Sequence, residues 1–215
     1  EQSVDPSIIS KPIVVLSNND GCIISRNAEA RRLGIQMGQP YFKVRERLKR
    51  LGVIVRSSNY ELYGDMSRRL MRTLKEHCEK LEIYSIDEAF VTITRQYNYN
   101  LLDWARQLRE LAYQSLGLPI AIGIGTTKSQ AKAANRLAKI LTTYAGIFDL
   151  NTTNNESKWL EEIQIQEVWG IGPAMAKWCK LRGICNARQL RDMPSNLLDK
   201  KWGLKGIKIQ NELKG

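Results

Sequence analysis

The sequence predicts an α+β fold, a sheet domain with helices threaded through it and a small all-α segment behind it. Two observations carry this. Short β-rich runs alternate with long amphipathic helical stretches through the first two thirds of the chain, and from Trp159 onward the pattern is purely helical with glycine-rich breaks. Taken in order, residues 13–18 (IVVLSN) and 21–25 (GCIIS) are β-rich runs around Asn19-Asp20-Gly21, a hairpin signal. Residues 27–33 read as a short helix stopped by Gly34, and residues 53–56 as a further strand. Asn59 is placed to cap a long helix whose apolar positions Tyr63, Met66, Leu70, Leu74 and Cys78 share one face. Strands at 81–85 and 89–94 flank Ile86-Asp87-Glu88; a helix over 100–115, a buried strand over 119–125 (PIAIGIG) and a helix over 128–142 follow. The polar run 151–157 (NTTNNES) reads as a linker or loop.

Composition sets limits. The 215 residues are 43% hydrophobic and 26% charged, an ordinary globular balance. No apolar run approaches the roughly 20 residues that span a bilayer. The first twelve residues, EQSVDPSIISKP, lack the basic-then-apolar order of a signal peptide, and the absence of an initiator Met leads us to expect a chain that starts inside a longer gene product. Cys22, Cys78, Cys179 and Cys185 never reach C-x-x-C spacing, with only His77 available to join them, so free buried thiols in a reducing cytosol are expected rather than a zinc site. Lys+Arg of 33 against Asp+Glu of 22 gives 33 − 22 = +11. Such a balance suits phosphate polyanions, although surplus Lys also serves solubility alone.

Four features could carry chemistry. In Ser85-Ile86-Asp87-Glu88-Ala89-Phe90 two adjacent acids interrupt an apolar β segment. On a regular strand they point to opposite faces, so they reach one site only where the backbone turns; there they could hold a hard cation such as Mg²⁺, against the plainer reading of a surface turn. Lys128, Lys132 and Arg136 recur every fourth residue on one helical face, with Ala131, Ala134, Ala138 and Leu141 on another. That face suits a triphosphate or a nucleic-acid backbone, or merely solvent. The preceding Gly123-Ile124-Gly125-Thr126-Thr127-Lys128 fits neither G-x-G-x-x-G nor the Walker A pattern, so both nucleotide-loop readings are rejected. Val168-Trp169-Gly170-Ile171-Gly172-Pro173 predicts a tight hairpin between short helices, with amides at a helix N-terminus that favour phosphate and Lys177 and Lys180 nearby; glycines there also serve close helix packing. Arg26, Arg31 and Arg32 around the first short helix mean little alone.

Together these segments resemble the UmuC branch of the Y-family translesion DNA polymerases. The stretches KPIVVLSNNDGCIISRNAEARRLGIQMGQPYF, SSNYELYGDMSRRLM, EIYSIDEAF, GIGTTKSQAKAANRLAK and VWGIGPAMAKW carry the likeness from about Lys11 to Leu190. The resemblance implies a palm-type, ferredoxin-like sheet with a fingers insertion and a helix-hairpin-helix thumb: fingers over 12–75, palm over 76–155, thumb over 156–215. It implies template-directed nucleotidyl transfer in translesion synthesis and the SOS response to DNA damage, in the bacterial cytoplasm. Asp87 and Glu88 become catalytic carboxylates that hold two Mg²⁺ ions, which activate the primer 3′-hydroxyl and neutralise the triphosphate. Ser25, Arg31 and Lys132 match positions that contact the incoming dNTP; Gly170, Gly172 and Lys177 match the hairpin on the DNA backbone. Ala28 stands where many relatives carry a triphosphate-binding Tyr, so that contact is expected to be absent.

The family pattern begins with a strand bearing a third, metal-bridging Asp and an aromatic residue that excludes ribonucleotides; this chain opens at Glu1, past both. By the same comparison with the family pattern, the little finger domain beyond the thumb is expected to lie outside this segment. With two ligands of three, this segment is expected to be inactive by itself while the complete protein polymerises DNA. Primer-template DNA, dNTP, UmuD-type accessory subunits and a sliding clamp are the implied partners, and no membrane. Two other readings compete: a non-catalytic damaged-DNA-binding module, with Asp87 and Glu88 structural, and, more distantly, a nucleotide cyclase-like enzyme on a similar sheet.

Overall fold

The structure, a computed structural model, describes residues 3–94, 100–141, 145–152 and 156–215. The chain divides into two compact units, Glu1–Val91 and Thr92–Gly215.

The first unit is built on a three-stranded sheet of order β2-β1-β3, from β1 (Ile13–Leu16), β2 (Ile23–Arg26) and β3 (Ile54–Arg56). All four β1 residues are buried, as befits a central strand covered on both faces. β2 runs antiparallel to β1, and β3 parallel to it in the register Ile13↔Ile54, Val14↔Val55. The β1–β2 connection is longer than the Asp-Gly signal predicts, because the side chain of Ser17 takes over backbone donors. Its Oγ accepts from the Gly21 and Cys22 amides at 3.1 and 3.2 Å, ending β1 at Leu16. Asp20 sits at φ 53°, a conformation Asp tolerates.

The predicted first helix is α1 (Ala28–Arg32), capped by the Asn27 side chain on the Ala30 amide. A second helix, α2 (Tyr41–Arg50), lies between Gly34 and β3, where the sequence reading placed nothing. Its signal is Tyr41, Val44 and Leu48 at i, i+3 and i+7, and these three pack on the core formed by Val14, Leu16, Ile23 and Ile35. Asn59 caps α3 (Tyr60–Glu76) as its spacing predicts, and the helix buries Leu70, Met71 and Leu74. β4 (Lys80–Ile83) and β5 (Ala89–Thr92) then pair as a two-stranded sheet that leaves Ile83, Tyr84 and Ile86 about half exposed or more.

The second unit opens with α4 (Leu101–Leu116), capped by Asn100 and closed by Gly117 at φ 64°. β6 (Ile122–Ile124) and β7 (Ile147–Asp149) run parallel, joined through α5 (Lys128–Ile140). β6 is shorter than the predicted 119–125 and half-buried, and β7 was not predicted; three residues behind Gly146 carry no readable period. α5 lies directly on β6, and two glycines permit it. A Cβ on Gly123 would sit 2.0 Å from the Asn135 amide nitrogen, and one on Gly125 would sit 2.7 Å from that of Ala131. The glycines that superficially look like a phosphate loop serve helix–strand contact.

The all-α remainder is α6 (Glu156–Glu161), α7 (Pro173–Lys180), α8 (Ala187–Asp192) and α9 (Ser195–Lys214), the last kinked at Gly203, whose φ is 57°. One core joins these helices to the sheet pair: Leu137 of α5, Phe148 of β7, Leu160, Leu190 and Leu213 share it. Gln210, fully buried, donates to the carbonyls of Leu190, Arg191 and Met193, which ties the end of α8 to α9. All four thiols are free; burial pushes Cys78 and Cys179 up, whereas Cys185 is exposed, against the expectation of buried thiols throughout. Among the described residues no helix is long and apolar enough to cross a membrane.

Asp149, at the end of β7, is 6% exposed, and burial raises its carboxyl above the ordinary value although the Asn151 amide donates to it at 2.9 Å. A raised folded-state value means that the native state holds this proton more tightly than the unfolded chain. The group's stabilising contribution is therefore complete in acid and is lost as pH rises through the folded value. Asp149→Asn keeps an oxygen for Asn151 and removes the buried charge. It is expected to raise the midpoint of thermal unfolding at pH 7 and to leave it unchanged near pH ~3, below the unfolded value. An equal shift at both pH values would contradict this.

Candidate catalytic turn and nucleic-acid interface

The chain between β4 and β5 turns sharply at Ser85, Ile86 and Asp87. The Tyr84 and Ser85 amides both donate to the Glu88 carbonyl at 3.0 Å, closing the turn. Ser85 donates its hydroxyl to Asp87 Oδ1 at 2.7 Å and fixes that carboxylate. The alternation of a straight strand is thus broken where the two acids stand, as a shared cation site requires. Asp87 is exposed and Glu88 half-buried. Tyr84 and Phe90 brace the base of the turn edge to face, 5.8 Å between ring centroids. Two adjacent carboxylates at such a turn, one exposed and one half-buried, are the ligand type that a hard divalent ion takes. Among the described residues no cluster of three or more His, Cys, Asp or Glu completes it.

Ser25 lies on β2 opposite Val15, exposed, on the wall of a groove of about 300 Å³ lined also by Ile24, Asn27 and Tyr63. Arg31 is exposed in the last turn of α1. Of its neighbours, Arg32 pairs with Glu29 at 3.7 Å, and Arg26 donates to the Ile35 carbonyl, so Arg26 has a structural task.

Lys132 belongs to the second unit, half-buried on α5 one turn after Lys128. Arg136, third on that face, forms an ion pair with Glu167. The first turn of α5 is held from outside the helix. Glu212 of α9 accepts from the Ser129 amide at 3.2 Å and the Ser129 hydroxyl at 2.7 Å, while Thr127 caps the helix and donates its hydroxyl to the Glu212 carbonyl. The sequence reading missed Glu212, since no local pattern marks an acid that caps a helix so far away in the chain.

The predicted hairpin forms between Val168 and Pro173, with the Ile171 amide donating to the Val168 carbonyl at 3.0 Å and Pro173 as the first residue of α7. Gly170 and Gly172 differ in role. Gly170 has φ 89°, and its absent Cβ would meet Ile209 at 3.0 Å, so backbone and packing both demand glycine. Gly172 has an ordinary φ of −84°, and a Cβ there would meet nothing within 4 Å. Lys177 and Lys180 are exposed on the helix it opens.

The solved structures that match this fold are Y-family DNA polymerases. "Insertion ternary complex of Dbh DNA polymerase" matches with a TM-score of 0.81 and 25% identity, covering 99% of this chain and 62% of that one. "Crystal Structure of DinB from Sulfolobus solfataricus" matches at 0.77 with the same identity and coverage. The chain belongs to the impB/mucB/samB family, whose model matches residues 1–136. It is 41% identical over 212 residues to Protein UmuC of Salmonella typhimurium, covering 98% of this chain and 50% of that protein. It is 35% identical over 216 residues to Protein MucB of Escherichia coli, covering 100% and 51%. The chain thus spans about half the length of the curated relatives it matches.

Proposed function

We propose that the whole protein carries out template-directed nucleotidyl transfer in translesion DNA synthesis, and that this chain supplies its fingers (12–75), palm (76–155) and thumb (156–215). The observation that carries the reading is the pair Asp87 and Glu88 on an open turn between two strands, in a chain of this family. The two carboxylates would hold Mg²⁺, which, when bound, lowers the pKa of a primer hydroxyl and neutralises charge on a triphosphate. Ser85 holds the Asp87 carboxylate in place by donating its hydroxyl to it. Ser25 and Arg31 are assigned to the incoming dNTP, the hydroxyl as a donor and the guanidinium as a charge for the phosphates. Lys132 is assigned to a triphosphate contact by its place in the motif alone. UmuD-type subunits and a sliding clamp are the protein partners this reading implies, with the bacterial cytoplasm as its compartment. Extension of a primed template with Mg²⁺ and dNTP by the whole protein tests it; extension that persists without Asp87 would refute it.

Gly170, Gly172 and Lys177 are assigned to the DNA backbone, and Gly172 separates this task from packing. With Pro173 lacking an N–H, the amides of Ala174 and Met175 are the donors this reading offers to a phosphate, and a Cβ on Gly172 would enter open space beside the helix start. Gly172→Ala is expected to lower duplex affinity roughly tenfold, the scale of one lost charge-assisted contact, while costing stability no more than about 1 kcal/mol. Fluorescence anisotropy and urea unfolding on the same variant check the pair of outcomes. Unchanged DNA affinity would remove the hairpin from the interface.

A further inference from the structure

We propose that the outer flank of α2 binds single-stranded nucleic acid, with Phe42 as a base-stacking platform and the surrounding cations as phosphate contacts. The inference goes beyond the polymerase reading and stands without it. Phe42 is 75% exposed, the most exposed large apolar side chain among the described residues of the first unit. It serves no core, since Tyr41, Val44 and Leu48 carry the packing of this helix. Lys43 stands with its ammonium 5.8 Å from the Phe42 ring centroid. Arg45 and Lys49 follow Phe42 at i+3 and i+7 and so share its flank.

The helix holds five cations against one acid, Glu46. Arg47 donates to the Leu33 carbonyl at 2.9 Å. Lys43, Arg45, Lys49 and Arg50 are exposed and form no ion pair among the described residues. Arg56, by contrast, pairs with Asp5, and Arg68 and Arg69 pair with Asp65. Uncompensated cations beside an exposed aromatic ring match a strand that offers both phosphates and unpaired base faces. A duplex offers the phosphates alone, because its bases are already stacked. Met37, in the loop that leads into α2, is 52% exposed and adds apolar surface close by in the chain.

The test measures anisotropy of labelled oligo-dT and of a duplex of equal length with the 215-residue chain, across a salt series. Phe42→Ala leaves the fold intact at so exposed a site. It is expected to weaken oligo-dT binding about fivefold or more and to spare the duplex, whereas Phe42→Trp retains oligo-dT binding. Arg45→Glu with Lys49→Glu is expected to flatten the salt dependence for oligo-dT by about one to two phosphate equivalents. Oligo-dT binding unchanged by Phe42→Ala, or equal losses for both nucleic acids, would overturn the proposal. Competition by poly-glutamate that displaces oligo-dT regardless of Phe42 would overturn it too, in favour of an acidic protein partner. Primer extension is not read in this assay, so loss of the catalytic reading would leave these outcomes standing, and the reverse.

Discussion

Asp87→Ala in the whole protein is expected to cut Mg²⁺-dependent primer extension by about 10³-fold or more while leaving duplex affinity nearly unchanged. The size follows from charge. A carboxylate that holds the ion through which negative charge on a transferring phosphoryl is neutralised acts most strongly in the transition state, where several kcal/mol depend on it. The sparing of affinity follows from exposure: Asp87 lies on an open turn, its side chain is held by Ser85, and no packed core leans on it. Steady-state extension and anisotropy on one preparation separate the two effects. If instead duplex binding fell and residual extension stayed high, Asp87 would be a structural residue of the turn and the protein a DNA-binding module.

Gly123→Ala is expected to cost the second unit about 3 kcal/mol or more, at the upper end of what overpacking does. The added methyl would meet the Asn135 nitrogen at 2.0 Å, the Ala131 carbonyl oxygen at 2.4 Å and the Ala134 carbonyl carbon at 2.6 Å. All three are backbone atoms of α5, so no side chain can swing aside; the helix itself must lift from β6. Set against a total stability of roughly 5–15 kcal/mol, that is a large share. Urea unfolding reads it as a drop in midpoint, and a midpoint equal to the parent's would refute the close approach. Gly172→Ala is the internal contrast, because its methyl enters open space.

The helices announced themselves best. Asn27, Asn59 and Asn100 each precede a helix and accept an amide hydrogen from its first turn, and a cap followed by a 3.6-residue period is local information. α2 escaped because Pro40 is its cap residue without a side-chain acceptor, and its apolar stripe is thin among charges. β6 was legible inside the apolar run 119–125, whereas β7 is three residues, too short for a period of two to register, and their pairing depends on residues that the helix α5 separates. The acids of the turn were legible as a pair out of place in an apolar run. That Ser85 orients one of them was not, since a hydroxyl two residues away is equally common in turns with no task. The glycines of 123–125 show the limit most plainly: their spacing invites a phosphate, whereas a helix backbone in van der Waals contact is what they accommodate.

The grip of Glu212 on the first turn of α5 bears on how this protein is made. Ser129 and Glu212 stand 83 residues apart, and Thr127 and Glu212 85. A ribosome that has already released α5 must still extrude β7 and the helices α6 to α9 before that turn meets its acid. Closing so long a loop carries an entropic toll that local helices do not face, which delays completion of the unit until synthesis reaches α9. Through that interval α5 has β6 and β7 to pack on, but its first turn lacks the acid and the carbonyl that later hold it.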